Sequence, residues 1–195
     1  MPDKHAILSA SSSHRWLECP PSLLCSTVGD TPSEFAMQGT DAHSLCEHKL
    51  KTALGQQSKD PTENLSFFDE EMADCSDMYA QYVMEQLAAA KEKCKDPIVL
   101  IEQRLDFSKW VPQGFGTGDC VIVADETLTV IDFKYGVGIL VEAEKNPQMM
   151  CYALGALQLF DSIYDIDSVT MTIFQPRRDN VSTYTISKEE LLKWV

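Results

Sequence analysis

Apolar positions recur along this chain with two periods, and the change from one to the other divides it. Within residues 33–54, Ala42, Leu45, Cys46, Leu50 and Ala53 fall at helical spacing, which predicts a helix with one buried side. Residues 55–70 are polar, carry Gly55 and Pro61, and read as a loop. Over residues 69–95 a second helix is predicted, with Cys75, Met78, Tyr79, Tyr82, Val83, Gln86, Leu87 and Ala90 as its buried stripe and Pro97 beyond its end. Three Val- and Ile-rich runs follow, at 98–105, 118–124 and 128–135, and read as strands. Pro147–Phe160 is apolar almost all round, the pattern of a buried helix with proline in its first turn. Residues 169–175 read as a fourth strand and 182–186 as a fifth. Ser187 with Glu190 three residues on is a capping box that opens a last helix. Ahead of all this, SSSHRWLECPPS predicts a short helix broken at Pro20-Pro21.

That order is a helix, a helical insertion over about 55–97, three strands, a helix and a strand. Adjacent early strands with one later helical crossover give a mixed α/β sheet flanked by helices, not a doubly wound parallel one. The 195 residues fit one domain spanning 1–195. The chain stops inside its last predicted helix, so the domain either closes there or is part of something longer.

Composition adds exclusions. Hydrophobic residues make up 44% and charged residues 24%, as in ordinary globular chains. No apolar run approaches the roughly 18 residues of a membrane span, and the N-terminus lacks a signal peptide's basic start and apolar block. A cytoplasmic protein without membrane contact is expected. The 7 cysteines are odd in number, scattered and never paired as CxxC, which argues against a disulfide framework or zinc ribbon and for buried thiols. A net charge of −14 counts against a simple nucleic-acid-coating protein, though a site that collects divalent cations must itself be acidic. Much of the acidity lies in residues 59–77, a pattern typical of a solvated face.

The chemistry is concentrated in the second and third strands. With Asp125-Glu126 as a two-residue loop, Val123 opposes Leu128, Val121 opposes Val130, and Asp119 opposes Asp132. Opposed side chains share a face with Cβ atoms about 5 Å apart. Two carboxylates so placed repel unless a proton or cation lies between them. On this pairing, Asp119→Asn is expected to stabilise the metal-free protein. Lys134, two residues past Asp132, projects from the same face, while Phe133 points into the core. The bland alternative is that both acids flank loops and Lys134 is a surface charge. Against it stands the apolar strand around them, where an idle charge is costly.

Four motifs in order carry a resemblance: G-T-D-A-H (residues 39–43), G-D (118–119), I-D-F-K-Y-G (131–136) and Q-M-M-C-Y (148–152). Together they resemble the RecB-like branch of the PD-(D/E)XK nucleases, which includes CRISPR-associated RecB-like exonucleases and phage or mobile-element members. The resemblance covers about residues 9–175. It implies a restriction-endonuclease-like core and a metal-dependent DNA nuclease, an exonuclease by that resemblance, that leaves a 5′-phosphate and a 3′-hydroxyl. Asp119, Asp132 and Lys134 would be catalytic. His43, Asp119, Asp132 and the backbone carbonyl of Phe133 would hold Mg²⁺ or Mn²⁺, oxygen-seeking ions of which Mn²⁺ better tolerates imidazole. Lys134 would position water, lower its pKa or balance charge on the phosphate. Glu47, one turn after His43, would orient the imidazole, bind a second ion or simply be a surface Glu. Gln148 and Tyr152 would contact DNA or the lysine, with Tyr152 equally readable as core. Glu102 is a weaker outer candidate. An iron–sulfur cluster is not expected: Cys19 resembles the first ligand of the cluster-bearing members, but no cysteine follows Cys151.

The implied partners are single-stranded DNA or duplex ends, with a second copy or a phage recombination protein as further candidates. The rival reading is a nuclease-fold protein that binds nucleic acid or a protein partner without useful catalysis.

Overall fold

A computed structural model describes residues 6–25 and 33–195. At its centre is a five-stranded sheet in the order β1 (Ile98–Asp106), β2 (Phe115–Ala124), β3 (Thr127–Phe133), β4 (Ser168–Gln175) and β5 (Asn180–Ser187). β1, β2 and β3 form an antiparallel meander. β3 and β4 run parallel, joined through a helical crossover, and β5 returns antiparallel to β4. This is the expected mixed sheet flanked by helices, compatible with a restriction-endonuclease-like core.

Six helices accompany the sheet among the described residues: α1 (Ser13–Glu18), α2 (Ser22–Cys25), α3 (Glu34–Ala53), α4 (Glu70–Lys93), α5 (Pro147–Phe160) and α6 (Lys188–Lys193). Polar caps set where the longer ones begin. Ser33 accepts from the Ala36 amide, Asp69 from Met72, and Asn146 from both Gln148 and Met149. The Ser187–Glu190 capping box is present.

The sheet is covered on both faces, which is why β2 is buried continuously from Asp119 to Ala124. On one face Val121, Val130, Met171 and Ile173 pack with Met149, Leu154 and Leu157 of α5. On the other, Cys120, Ile131, Phe133 and Phe174 pack with Leu45 and Leu50 of α3 and with Tyr79 and Val83 of α4. Gly155 lets α5 lie close on the sheet, since a Cβ there would stand 2.9 Å from Leu105 Cβ.

Several predicted details are corrected. Met78 is 48% exposed and Ala53 is exposed, so the inward stripe of α3 is narrower than the periodicity indicated and that of α4 is shifted around the helix. Met72, Ser76 and Ala80 take the place of Met78. β2 begins three residues earlier than its Val/Ile run, because Phe115–Thr117 pair with β1. β3 ends at Phe133 and excludes Tyr135. The polar stretch after α3 contains a short 3-10 turn at Thr62–Asn64. α1 ends ahead of the two prolines as expected, and a further short helix, α2, follows them; the rest of the N-terminal expectation, at residues 1–5 and 26–32, lies outside the described residues. Cys46, Cys75, Cys94, Cys120 and Cys151 are buried thiols, and Cys19 is exposed. No described helix is long and apolar enough to cross a membrane.

Candidate metal centre

The hairpin between β2 and β3 has the register its sequence implied, with Val123 opposite Leu128 and Val121 opposite Val130. The ladder then stops at Cys120↔Ile131. β2 goes on pairing with β1 as far as Phe115, and β3 with β4 as far as Phe133. The two strand pairs thus part beyond Cys120, leaving a notch in the sheet. Where the next rung would fall, the Asp119 side chain takes over: its Oδ2 accepts the Phe133 amide at 2.6 Å.

Two other elements reach this notch. His43, from the middle of α3, places Nδ1 3.2 Å from Asp119 Oδ1, with its ring edge-on to Phe133. Glu102 arrives from β1 by an unusual route. Ile101 pairs with Cys120 and Gln103 with Gly118, but Glu102 between them adopts φ +50° and makes no rung. A left-handed non-glycine residue inside a strand costs about 1–3 kcal/mol and is a recurrent mark of functional sites. Ligand atoms of His43, Glu102 and Asp119 all lie within 4.8 Å of one another. Adjacent ligands about 2.1 Å from an octahedral ion stand roughly 3.0 Å apart, so the His43–Asp119 spacing suits a shared cation. One imidazole with two carboxylates suits Mn²⁺ or Mg²⁺ chemically.

Asp132 and Lys134 form the second half of the site. Lys134 Nζ lies 2.9 Å from Asp132 Oδ2. Gln148, in the first turn of α5, ties the group together: its Oε1 accepts from Lys134 at 3.0 Å, and its Nε2 donates to Asp132 Oδ1 at 3.1 Å and faces the Tyr152 hydroxyl at 3.2 Å. Tyr152 is buried, and its ring is backed by Gly116, where a Cβ would stand 2.7 Å from Tyr152 Cε1.

The electrostatics describe acids crowded together and offset by protons and by the Lys134 ammonium. Burial disfavours the His43 imidazolium, but Asp119, with Asp132 and Glu102 behind it, holds its pKa up at about 9. Burial and the Asp119 charge lift Glu102 to about 7. Burial would raise Asp119 too, yet His43 and the Phe133 amide keep it below the usual carboxylate range. Asp132 is raised by burial, which Lys134 offsets in part and Asp119 reinforces. Lys134 is held above its ordinary value because Asp132 outweighs its own burial.

Of the sequence candidates, His43, Asp119, Asp132, Lys134, Gln148 and Tyr152 come together. Glu47 is ion-paired with Lys51 and is not among the three clustered ligand residues. The Phe133 backbone enters through its amide, as the donor to Asp119. Glu102 is the residue whose weight the sequence understated; the available signal was a carboxylate in the middle of Ile98–Asp106, directly after four apolar residues. A separate cavity of about 550 Å³ between α3 and α4, lined by Leu45, Lys49, Phe68, Asp77 and Met84 among others, takes in none of these residues.

Fold and site together define a mixed α/β domain with an acidic, imidazole- and lysine-bearing notch at one end of its sheet. The chain belongs to the family described as "Protein of unknown function (DUF2800)", which matches residues 5–195. Among solved structures, one titled "Crystal structure of SSO0001" is 12% identical and aligns over 80% of this chain and 84% of its own, with a TM-score of 0.24. A likeness that slight carries no argument.

Proposed function

We propose that this protein is a Mg²⁺- or Mn²⁺-dependent deoxyribonuclease of the PD-(D/E)XK type, RecB-like, that hydrolyses phosphodiester bonds from DNA ends in phage or mobile-element DNA metabolism. The observation that carries the reading is the notch: three carboxylates and an imidazole from four different elements meet beside a lysine whose ammonium is already aligned by a carboxylate and an amide. His43, Glu102 and Asp119 would hold the ion, with Asp132 and the Phe133 carbonyl as further oxygen donors. The bound ion would polarise the scissile phosphate and acidify water. Lys134 is oriented to meet a phosphate oxygen or the attacking water. Gln148 keeps that ammonium directed and shares its amide with Asp132. Tyr152 packs beneath Gln148 and fixes its rotamer.

Purified protein with Mn²⁺ should degrade end-labelled linear single-stranded or duplex DNA and spare closed circles. Undiminished cleavage in excess EDTA would sink the metal mechanism. The net charge of −14 favours one other reading, a nuclease-fold protein that binds nucleic acid or protein without cutting. Metal-dependent DNA binding with no cleavage on any of these substrates would select it.

A further inference from the structure

The segment that follows Lys134 has no role in the site so far, yet it is built with care. Residues 136–141 form no helix or strand. Ile139 is 80% exposed, Leu140 46% and Val137 43%. Three aliphatic side chains facing solvent within four residues, beside a polar site, mark an interaction surface.

The backbone beneath them is clamped. Gln175, 1% exposed at the end of β4, donates to the carbonyls of Gly136 at 2.7 Å and Ile139 at 2.9 Å, and accepts the Val141 amide at 3.2 Å. Asn180 donates to the Val141 carbonyl at 2.8 Å, and Arg178 to that of Val137 at 3.3 Å. The loop's polar groups are turned inward and its aliphatic side chains are presented outward. Gly136 and Gly138 add an independent point. Neither has a positive φ, and a Cβ on either would meet nothing within 4 Å. Nothing among the described residues requires glycine there, and the space above them is open to an approaching ligand.

We propose that this loop is a base-contacting element, with Ile139 packing against the terminal nucleobase of a DNA strand whose phosphate is held at Lys134. The inference rests on the nuclease reading. Lys134 and the loop share one anchor, since the Lys134 amide donates to the Phe174 carbonyl at 2.8 Å and Gln175 is the next residue. A nucleotide offers both chemistries in that order, an anionic phosphate and then a flat apolar base. Branched aliphatic side chains insert against base steps and unstack them. Arg177 is committed to Glu71 at 2.8 Å and to the Tyr135 ring. Arg178 is exposed beside Val137, where its charge favours phosphate over an apolar protein surface.

The test places 2-aminopurine at the end of a DNA duplex and reads its fluorescence with Ca²⁺, and separately follows kcat/KM with Mn²⁺ on paired and terminally mismatched ends. Wild type should brighten the probe by unstacking it. Ile139→Ser should lose most of that change and about tenfold in kcat/KM on paired ends, with a smaller loss on mismatched ends. Ile139→Phe should restore the signal. Equal fluorescence and equal rates for wild type and Ile139→Ser overturn the loop's role while leaving the nuclease reading intact. A dimer in wild type that becomes a monomer in Ile139→Ser, with unchanged DNA signals, overturns it in favour of a second copy. If wild type neither cleaves nor binds DNA, both readings are overturned.

Discussion

Asp119 and Asp132 sit opposite each other in the sequence's pairing, yet their surroundings treat them differently. Asp119 is supported by the Phe133 amide and His43, which hold its pKa down, whereas burial and Asp119 itself push Asp132 up. The stabilisation expected of Asp119→Asn is therefore reversed. The carboxylate removed is the favoured one, and the metal-free variant should melt lower than wild type by the equivalent of about 1–2 kcal/mol, read from thermal melts. An equal or higher melting temperature would show that repulsion from Asp132 dominates after all. Lys134 tests the division of labour. Its ammonium contacts Asp132 and Gln148 and is not a ligand, so Lys134→Ala should lower kcat by about 10²–10³-fold while Mn²⁺ binding stays measurable by calorimetry. Asp119→Ala should lose both. Matching losses of binding would show the roles are wrongly divided. The carboxylates and the lysine were legible because charges in an apolar strand are conspicuous. Which acid is comfortable was not, because that depends on the Phe133 amide and on His43, contributed from elsewhere in the fold.

Among the elements, the edge strand β1 holds the feature that sequence could least reveal. Its apolar run gave its position within a residue, and the helices α3, α4 and α5 were similarly legible from their apolar patterns and from Pro97 and Pro147. The left-handed turn at Glu102 has no local signature: the residue is neither Gly nor Asn, and the conformation is imposed by rungs on both sides of it. The strand β2 was read short for a related reason, since Phe115, Gly116 and Thr117 belong to it only through pairing with β1. Glu102 allows backbone and side chain to be separated. Glu102→Gly removes the carboxylate and relieves the left-handed penalty, while Glu102→Gln removes the charge alone. Without metal, Glu102→Gly should be the more stable of the two by about 1 kcal/mol, less any entropy the glycine adds to the unfolded chain. Both should respond to Mn²⁺ far less than wild type. If Glu102→Gly melts at or below Glu102→Gln, the strand stores no such strain.

For the whole molecule, the order of elements was enough to give a mixed sheet flanked by helices, because three adjacent strands followed by one buried crossover helix leave few other arrangements. Where the sheet opens was not readable from order alone, since it depends on β2 staying with β1 and β3 with β4. That opening draws acids and bases into one place, and so ties global stability to pH. His43 titrates near 9 in the folded protein against an ordinary 6.5, so its contribution is complete below about 6.5 and is lost as pH rises through 9. Glu102 near 7, against an ordinary 4.5, likewise contributes fully below 4.5 and loses that contribution as pH rises through 7. Both terms have the same sign, so the metal-free protein should lose stability from about pH 4.5 to 9. Self-repulsion in a chain of net charge −14 acts in the same direction. A divalent ion needs His43 neutral and Glu102 ionised, so it competes with those protons and binds more tightly as they leave. At one hundred times its Kd an ion that binds only the folded state adds about 2.7 kcal/mol. Denaturant titrations with and without Mn²⁺ at pH 6 and 8.5 should therefore show a gain from the ion that is larger at the higher pH, and proton release on binding. A gain that is flat across this range, or larger at pH 6, would mean that His43 and Glu102 do not hold the ion.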